Sequence, residues 1–459
     1  MSEDRFDEAY LEGIVDAAVE DTPPQTVRAA PAEAVALKGT VLAKDRVLDP
    51  GHVVVDLDGT IGAVQEAAPQ GTRVHATDGI ILPGLIDLHG HPEFNVFAAW
   101  EPPQLFANRY RWRSSDEYHS LIRDVQNTLL AELPRQTQAR YAEIRALVGG
   151  VTAIQGASAK YPKKEEALVR NVDLVIFGQQ RARAMIDLPS ASSRDADRLK
   201  DILDQIEHDE VDAFYIHLAE GRRDDSRSQG EFAKLVGFNA LTKATVIIHG
   251  TALTRDQLGD VRDAGAKLVW SPQSNLRLYG QTTLAEDALE LGVTLGLGAD
   301  WLPSGSPSLL DEMQVARRWL RSQGADPSAK SLVHMMTSDA AAIAGLQDHL
   351  GTLAAGRPAD VLVLERRDDD PWESVLQSDP SAVELVTIGG DLAYGRTDWV
   401  STLADPSDTD RLEPVIAWGR EMLLDTSYTA ETATDTPPTL AELRTALVDA
   451  YPRVGPIFA

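Results

Sequence analysis

The sequence contains no cysteine. That excludes disulfides, thiol nucleophiles and cysteine-held zinc together, and leaves histidine and carboxylate groups to hold any metal. Lysine is scarce, ten residues against 33 arginines, and acidic residues outnumber basic ones by 71 to 43. The net charge of −28 repels nucleic acid and anionic lipid, so neither is expected as a partner. The acidity fits a high-GC coding bias as well as a saline habitat, where screening relaxes self-repulsion. Long apolar runs are also missing. No stretch approaches the roughly 20 residues of a membrane span. The opening MSEDRFDEAYLEGIVDAAVED is acidic and amphipathic, without the basic start and apolar core of a secretory signal. The expectation is a cytoplasmic protein, monomeric or homo-oligomeric, whose surface steers cationic or neutral small molecules better than anions.

What is present is the composition of a folded protein, 43% hydrophobic and 25% charged. A length of 459 residues exceeds one ordinary core and calls for a large domain with a smaller companion. Residues 1–24 read as an amphipathic helical extension ended by Pro23 and Pro24. Short alternating segments at 35–40, 41–44, 53–57, 61–64 and 73–76 have the pattern of a small β unit. Matching fragments return at 351–364 and 383–388. A discontinuous β-sandwich from 25–82 and 347–395 is therefore predicted, bracketing the block 83–346. That block alternates strand and helix, as parallel α/β architecture does. Strands are expected at 84–88, 151–155, 174–177, 213–217, 245–249, 267–270 and 293–297, with helices at 195–207, 255–264 and 309–321. Residues 172–188 must supply two strands with almost no helix between them. About seven strands are visible, so the expected fold class is α/β, a distorted (β/α)₈ TIM barrel compressed at 172–188, with a less regular α/β domain as the alternative. Helical segments at 410–424 and 440–450 are predicted in a C-terminal tail, 396–459.

The histidines fall where chemistry is done. His89 and His91 follow the first strand, His217 and His249 end later ones, and Asp300 follows the strand at 293–297. In a barrel, the C-terminal rim is where side chains from different strands converge. Residues two apart on a strand share a face, so His89 and His91 can reach one ion. Imidazoles with one carboxylate suit zinc, while iron and manganese accept the same ligands. A bound ion lowers the pKa of water from 15.7 to about 7, and Glu220, just past a strand end, is placed to move protons. A single strand-end histidine is more often structural, and Asp300 alone could cap a helix near Pro307; the conjunction points to a site. His52, His75, His119, His208, His334 and His349 read as structural.

The run Ile80-Ile-Leu-Pro-Gly-Leu-Ile-Asp-Leu-His-Gly-His91 resembles the first-strand signature of the amidohydrolase superfamily. His217-Leu-Ala-Glu220, Ile248-His-Gly250, Ser271-Pro-Gln-Ser-Asn275 and Gly296-Leu-Gly-Ala-Asp300 follow in that family's order and are similar to its cytosine deaminase and chlorohydrolase branch. The resemblance spans roughly 35–395. It implies that His89, His91, His217 and Asp300 bind one divalent ion. It further implies that His249 contacts the attacking water or the substrate, that Glu220 shuttles protons, and that Asp300 also takes a proton. No lysine lies at 172–188, where binuclear relatives carry a bridging one, and Lys160 reads as a surface residue. Trp301 stands where many nucleobase deaminases carry a small residue, which argues against a familiar purine or pyrimidine. Phe94, Phe97, Trp100, Phe106, Tyr110 and Trp112, with Arg109 and Arg111, form an aromatic segment that can stack on a planar substrate or pack as core. Gln155, Trp100, Arg109, Asn275 and Trp301 are the candidate substrate-binding residues. The implied activity is hydrolysis of a non-peptide C–N bond, foremost deamination of a small planar nitrogenous compound. Hydrolysis of a cyclic or linear amide is the alternative within the class. A non-catalytic scaffold is the alternative outside it, against which the intact ligand set argues.

Overall fold

The structure, a computed structural model, describes residues 33–134, 136–156, 167–190, 193–403, 412–426 and 438–458. The expected N-terminal helix and Lys160 lie outside the described residues.

Strands from both ends of the chain join one nine-stranded sheet. Its order is Leu412–Ala417, Arg420–Asp425, Asp391–Arg396, Val383–Ile388, Val361–Leu364, Arg73–Pro83, Val35–Ala43, Arg46–Val55 and Ile61–Gln65. At the centre, Arg73–Pro83 runs parallel to Val35–Ala43 and antiparallel to Val361–Leu364. The two-residue period decides what each face covers. Ile80, Leu82, Leu362 and Leu364 enter the core shared with the barrel. Ile81, Val361 and Val363 turn the other way, to a core with Val35, Leu37, Val41 and Trp399. The predicted segments at 35–40 and 41–44 are one strand, Val35–Ala43.

Residues 412–425 correct the expected tail. They form an antiparallel hairpin and not a helix, and they carry the sheet past residue 395. Pro414 would break a helix interior, and Trp418 and Gly419 both take positive φ, 48° and 78°, as the two-residue hairpin turn requires. The second expected tail helix is present as Leu440–Ala450, started by a Thr439/Glu442 capping box. The chain just beyond it is tied to the helix Gln136–Val148: Arg145 and Tyr141 both donate to the Gly455 carbonyl, at 2.7 and 3.0 Å.

Among the described residues, eight short strands make the barrel-like block, in two parallel sheets. Leu85–Asp87, Val151–Ile154 and Arg170–Asn171 form the first. Ala182–Met185, Ala213–Leu218, Thr245–His249, Lys267–Trp270 and Thr294–Leu297 form the second. The third strand is the two-residue Arg170–Asn171, and no strand forms at 174–177; there Ile176 and Gln179 close a tight turn with positive φ at Phe177 and Gly178. Among the described residues no ladder joins the third strand to the fourth. The first and eighth are stitched by Leu88 N to Leu297 O at 3.3 Å and Asp300 N to His89 O at 2.8 Å. The outer helices follow the sequence pattern. Arg194–Glu207 buries Leu199, Ile202 and Ile206, and Thr254 with Gln257 boxes the start of Arg255–Asp263. Ser308 caps Leu309–Ser322, so Asp300 is not a helix cap. No described helix is long and apolar enough to cross a membrane.

Candidate active site

The strand ends bring His89, His91, His217, His249 and Asp300 together. The His89 ring lies 4.9 Å from that of His91, 4.8 Å from His217 and 5.1 Å from His249, centroid to centroid. Asp300 Oδ1 lies 3.2 Å from His89 Nε2 and 3.6 Å from His91 Nε2. His249 and Asp300 both adopt left-handed backbone, φ 67° and 60°, a conformation that costs about 1–3 kcal/mol and persists only where surroundings enforce it. Close packing supplies the enforcement. At Gly298 a Cβ would stand 2.5 Å from His89 Cβ, so only glycine lets the eighth strand end lie against the first. Asp87, which the sequence reading passed over, fastens the same seam: its Oδ1 accepts from His89 N and Ala299 N at 3.2 and 3.1 Å. Burial pushes its pKa up to about 7.

The electrostatics divide these groups. Burial lowers His91 to about 4 and His249 to about 3, keeping both imidazoles neutral. Burial works against the Asp300 carboxylate, but the facing His89 overcomes it and holds Asp300 well below the usual range. His89, also opposed by burial, is raised by Asp300.

The donor set fits a divalent cation. His89, His91 and His217 offer ligand atoms within 4.8 Å of one another, as do His89, His249 and Asp300. Nδ1 of His89 and Nδ1 of His217 are buried without a hydrogen-bond partner. Buried polar atoms left this way are costly unless something coordinates them.

One short helix, Pro272–Tyr279, supports His249 and Glu220. Asn275 and Tyr279 are four residues apart on it and so share a face. Trp270 Nε1 can only donate, and it does so to Thr282 Oγ1 at 2.7 Å; that hydroxyl donates to Asn275 Oδ1 at 3.2 Å. Asn275 must then present its NH₂ to His249 Nδ1, 2.9 Å away, which leaves the His249 proton on Nε2. That Nε2 faces Glu220 Oε2 at 3.8 Å. Tyr279 donates to the other oxygen, Glu220 Oε1, at 2.5 Å. Burial raises the Glu220 pKa above its ordinary value, opposed by Arg109 and the Tyr279 bond.

His91, His217, Glu220, His249 and Asp300 line a cavity of about 220 Å³ that also meets Phe94, Trp112, Tyr118 and Trp301. Trp301 stands edge-on to Phe94 at 5.6 Å and tilted against Trp112 at 5.2 Å.

The other sequence candidates are placed differently from expectation. Trp100 is core, 4% exposed and packed on Phe106, because residues 92–108 fold down onto the barrel. Gln155 does not line the cavity; its Nε2 is bound to Asp173 Oδ1 at 3.1 Å, behind the histidines. Asn275 also stays off the cavity wall and holds His249. Arg109 lines the cavity, yet its guanidinium is spent on Asp187 and Glu231, at 2.6 and 3.0 Å. Glu231 accepts from Ala219 N as well, so this cluster props the turn between His217 and Glu220. Tyr279 and Asp87 were missed because an isolated tyrosine or a strand aspartate carries no spacing signal.

Comparison with known proteins accords with this geometry. The amidohydrolase family model matches residues 80–393, so the chain belongs to the amidohydrolase family and is an enzyme that hydrolyses a non-peptide carbon–nitrogen bond. A relative in Teredinibacter turnerae, named 5-methylthioadenosine/S-adenosylhomocysteine deaminase, is 24% identical over 65% of this chain and 74% of its own. Two solved structures share the fold. An adenosine deaminase from Xanthomonas campestris with bound zinc has a TM-score of 0.60 at 17% identity, covering 93% of this chain and 99% of that one. The atrazine chlorohydrolase of Arthrobacter aurescens, complexed with zinc, has a TM-score of 0.60 at 18% identity, covering 78% and 94%.

Proposed function

We propose that the chain is a mononuclear, zinc-dependent aminohydrolase that removes an amino group from a small planar nitrogenous compound. The observation that carries the reading is the opening of Glu220, His249, His91, His217 and Asp300 into one aromatic-walled cavity, with His89 packed directly behind them against Asp300. His89, His91, His217 and Asp300 would hold the ion; zinc is favoured over iron or manganese by a cysteine-free set of imidazoles and one carboxylate, and by the zinc in the two structures of like fold. When bound, a divalent ion there supplies Lewis-acid chemistry and lowers the pKa of water toward about 7.

The chain's own residues do the rest. Glu220, buried and raised in pKa, accepts a proton from the attacking water and returns it to the departing amine. Tyr279 holds its carboxylate in place. His249, neutral with its proton on Nε2, donates to the developing negative charge on the substrate. Asp300 stays ionised and is the second proton acceptor. Trp112, Tyr118 and Trp301 exclude water and stack on the ring. We also read the nine-stranded sheet as a composite, sandwich-like domain beside a distorted barrel.

The test is ammonia release across a panel of aminated heterocycles with the zinc-loaded protein. Deamination of at least one ring is expected. Hydrolysis of amides alone, with no ammonia from any aminated ring, refutes the aminohydrolase reading.

A further inference from the structure

The cavity has one acidic end and one basic wall. The carboxylates that line it, Glu220 and Asp300, both stand with the histidines at the strand ends. The wall built by residues 113–130 contributes Arg113, Arg123, Gln126 and Asn127 and no carboxylate. This local arrangement runs against the net charge of −28 carried by the chain as a whole.

A break in helical period creates that wall. Asp116–Tyr118, the π turn His119–Arg123 and Asp124–Glu132 run on without interruption, the junction residues all holding right-handed helical angles. In a regular α-helix the side chain four residues after Tyr118 would share its face. That residue, Ile122, is instead 2% exposed in the core, and the extra residue of the π turn brings Arg123 round to the cavity. Arg123 meets Asp124 only loosely, at 3.8 Å, and that carboxylate is 63% exposed.

Gln126, one turn further on, has its donor aimed by a fixed chain of bonds. Gln138 Nε2 donates to the Glu93 carbonyl at 3.0 Å and to Gln126 Oε1 at 2.7 Å. A backbone carbonyl only accepts, so Gln138 presents nitrogen and Gln126 presents oxygen to it. Gln126 Nε2 is thereby left as a buried donor without a partner, on a side chain 5% exposed that lines the cavity. Asn127 adds a buried Oδ1 acceptor, also without a partner.

Resting on the aminohydrolase reading, we propose that Arg123 and Gln126 form the specificity subsite, and that the substrate is an aminated planar ring bearing an anionic, carboxylate-type substituent. Arg123 supplies the positive charge and Gln126 a directed N–H, while Asn127 Oδ1 suits a ring N–H beside the anionic group. The amino group then sits toward Glu220 and the acidic end.

The experiment uses aminopyrimidine, aminotriazine and aminopurine rings, each carrying a carboxylate, a neutral carboxamide or a phosphonate away from the amino group. With zinc-loaded wild type, kcat/KM for the carboxylate should exceed that for the carboxamide by about tenfold or more, the usual worth of a charge-assisted hydrogen bond. Arg123→Gln and Gln126→Leu should collapse that ratio, chiefly through KM. Arg111→Gln, an exposed arginine off the cavity wall, should leave it intact. Binding of the ring carboxylates lacking the amino group, measured by calorimetry, supplies a readout free of turnover and should weaken in Arg123→Gln. Ammonia release with no preference among the substituents overturns the subsite and leaves the aminohydrolase reading standing. Arginine-dependent carboxylate binding without any ammonia release has the opposite meaning. A phosphonate preference that Arg123→Gln abolishes keeps the anionic subsite and reassigns the group it takes.

Discussion

The Tyr279 hydroxyl donates to Glu220 Oε1 at 2.5 Å and itself accepts from Trp112 Nε1 at 2.8 Å, so a cavity-lining ring and the Glu220 carboxylate share one hydroxyl. The bond favours the charged form of Glu220, against the burial that raises its pKa. Removing it in Tyr279→Phe raises the Glu220 pKa further. A group that must be ionised to accept a proton then becomes active only at higher pH. The acid limb of the kcat–pH profile should move upward in this variant, and an unmoved limb would count against Glu220 as the base.

The roles proposed for Glu220 and His89, proton transfer and metal binding, can be told apart. Glu220→Gln should retain metal at wild-type stoichiometry and lose about 10²- to 10⁴-fold in kcat. His89→Ala should lose metal as well as turnover. Elemental analysis beside the rate measurement distinguishes the two, and metal-replete His89→Ala would remove His89 from the ligand set. Chelation of the wild type should lower Tm, with recovery on adding zinc, because an ion bound only by the folded state stabilises it.

Asn275 sets the His249 tautomer through the chain that begins at Trp270. Asn275→Ala frees the ring to turn and to move its proton to Nδ1. Support of this kind is worth about 10- to 100-fold, so kcat should fall by that order with metal content unchanged. Wild-type kcat in Asn275→Ala would mean that His249 needs no such orientation.

Glu312 gives a stability test that needs no turnover. It is fully buried, accepts from Gln273 N at 2.9 Å, and burial raises its pKa from 4.5 to about 8. The folded state therefore keeps this proton in a pH range where the unfolded chain has released it. Stability from this group is complete below about pH 4.5 and is lost as pH rises toward about 8. Glu312→Gln stays neutral throughout and can still accept from Gln273. Urea midpoints at pH 5 and pH 8 should show the variant gaining on wild type as pH rises; a constant difference would contradict the raised pKa.

The strand-end histidines were legible because strands of period two with abrupt ends place their last side chains on a common rim, as His89, His217 and His249 are placed. The hairpin at 412–425 was not, because Leu412, Val415, Met422 and Leu424 sit at spacings compatible with either period, and Pro414 with the Trp418–Gly419 turn carried the deciding signal. Trp100 and Gln155 looked like pocket residues by position alone; which side of a loop or strand end faces the cavity is set by tertiary packing. Arg123 was hidden more deeply, since its direction depends on a π turn that no hydrophobic pattern announces. Tyr279 acts on Glu220 from 59 residues away.

An inner strand of the large sheet bears on how the polypeptide is made. Arg73–Pro83 lies between Val35–Ala43 and Val361–Leu364, so one of its edges is paired early and the other late. During synthesis all eight barrel strands leave the ribosome while the Ile80–Pro83 edge still lacks its second neighbour. That edge is apolar and fully buried in the finished protein, so until Leu364 has emerged the growing chain carries an unpaired apolar strand edge, the kind of surface that favours wrong pairing.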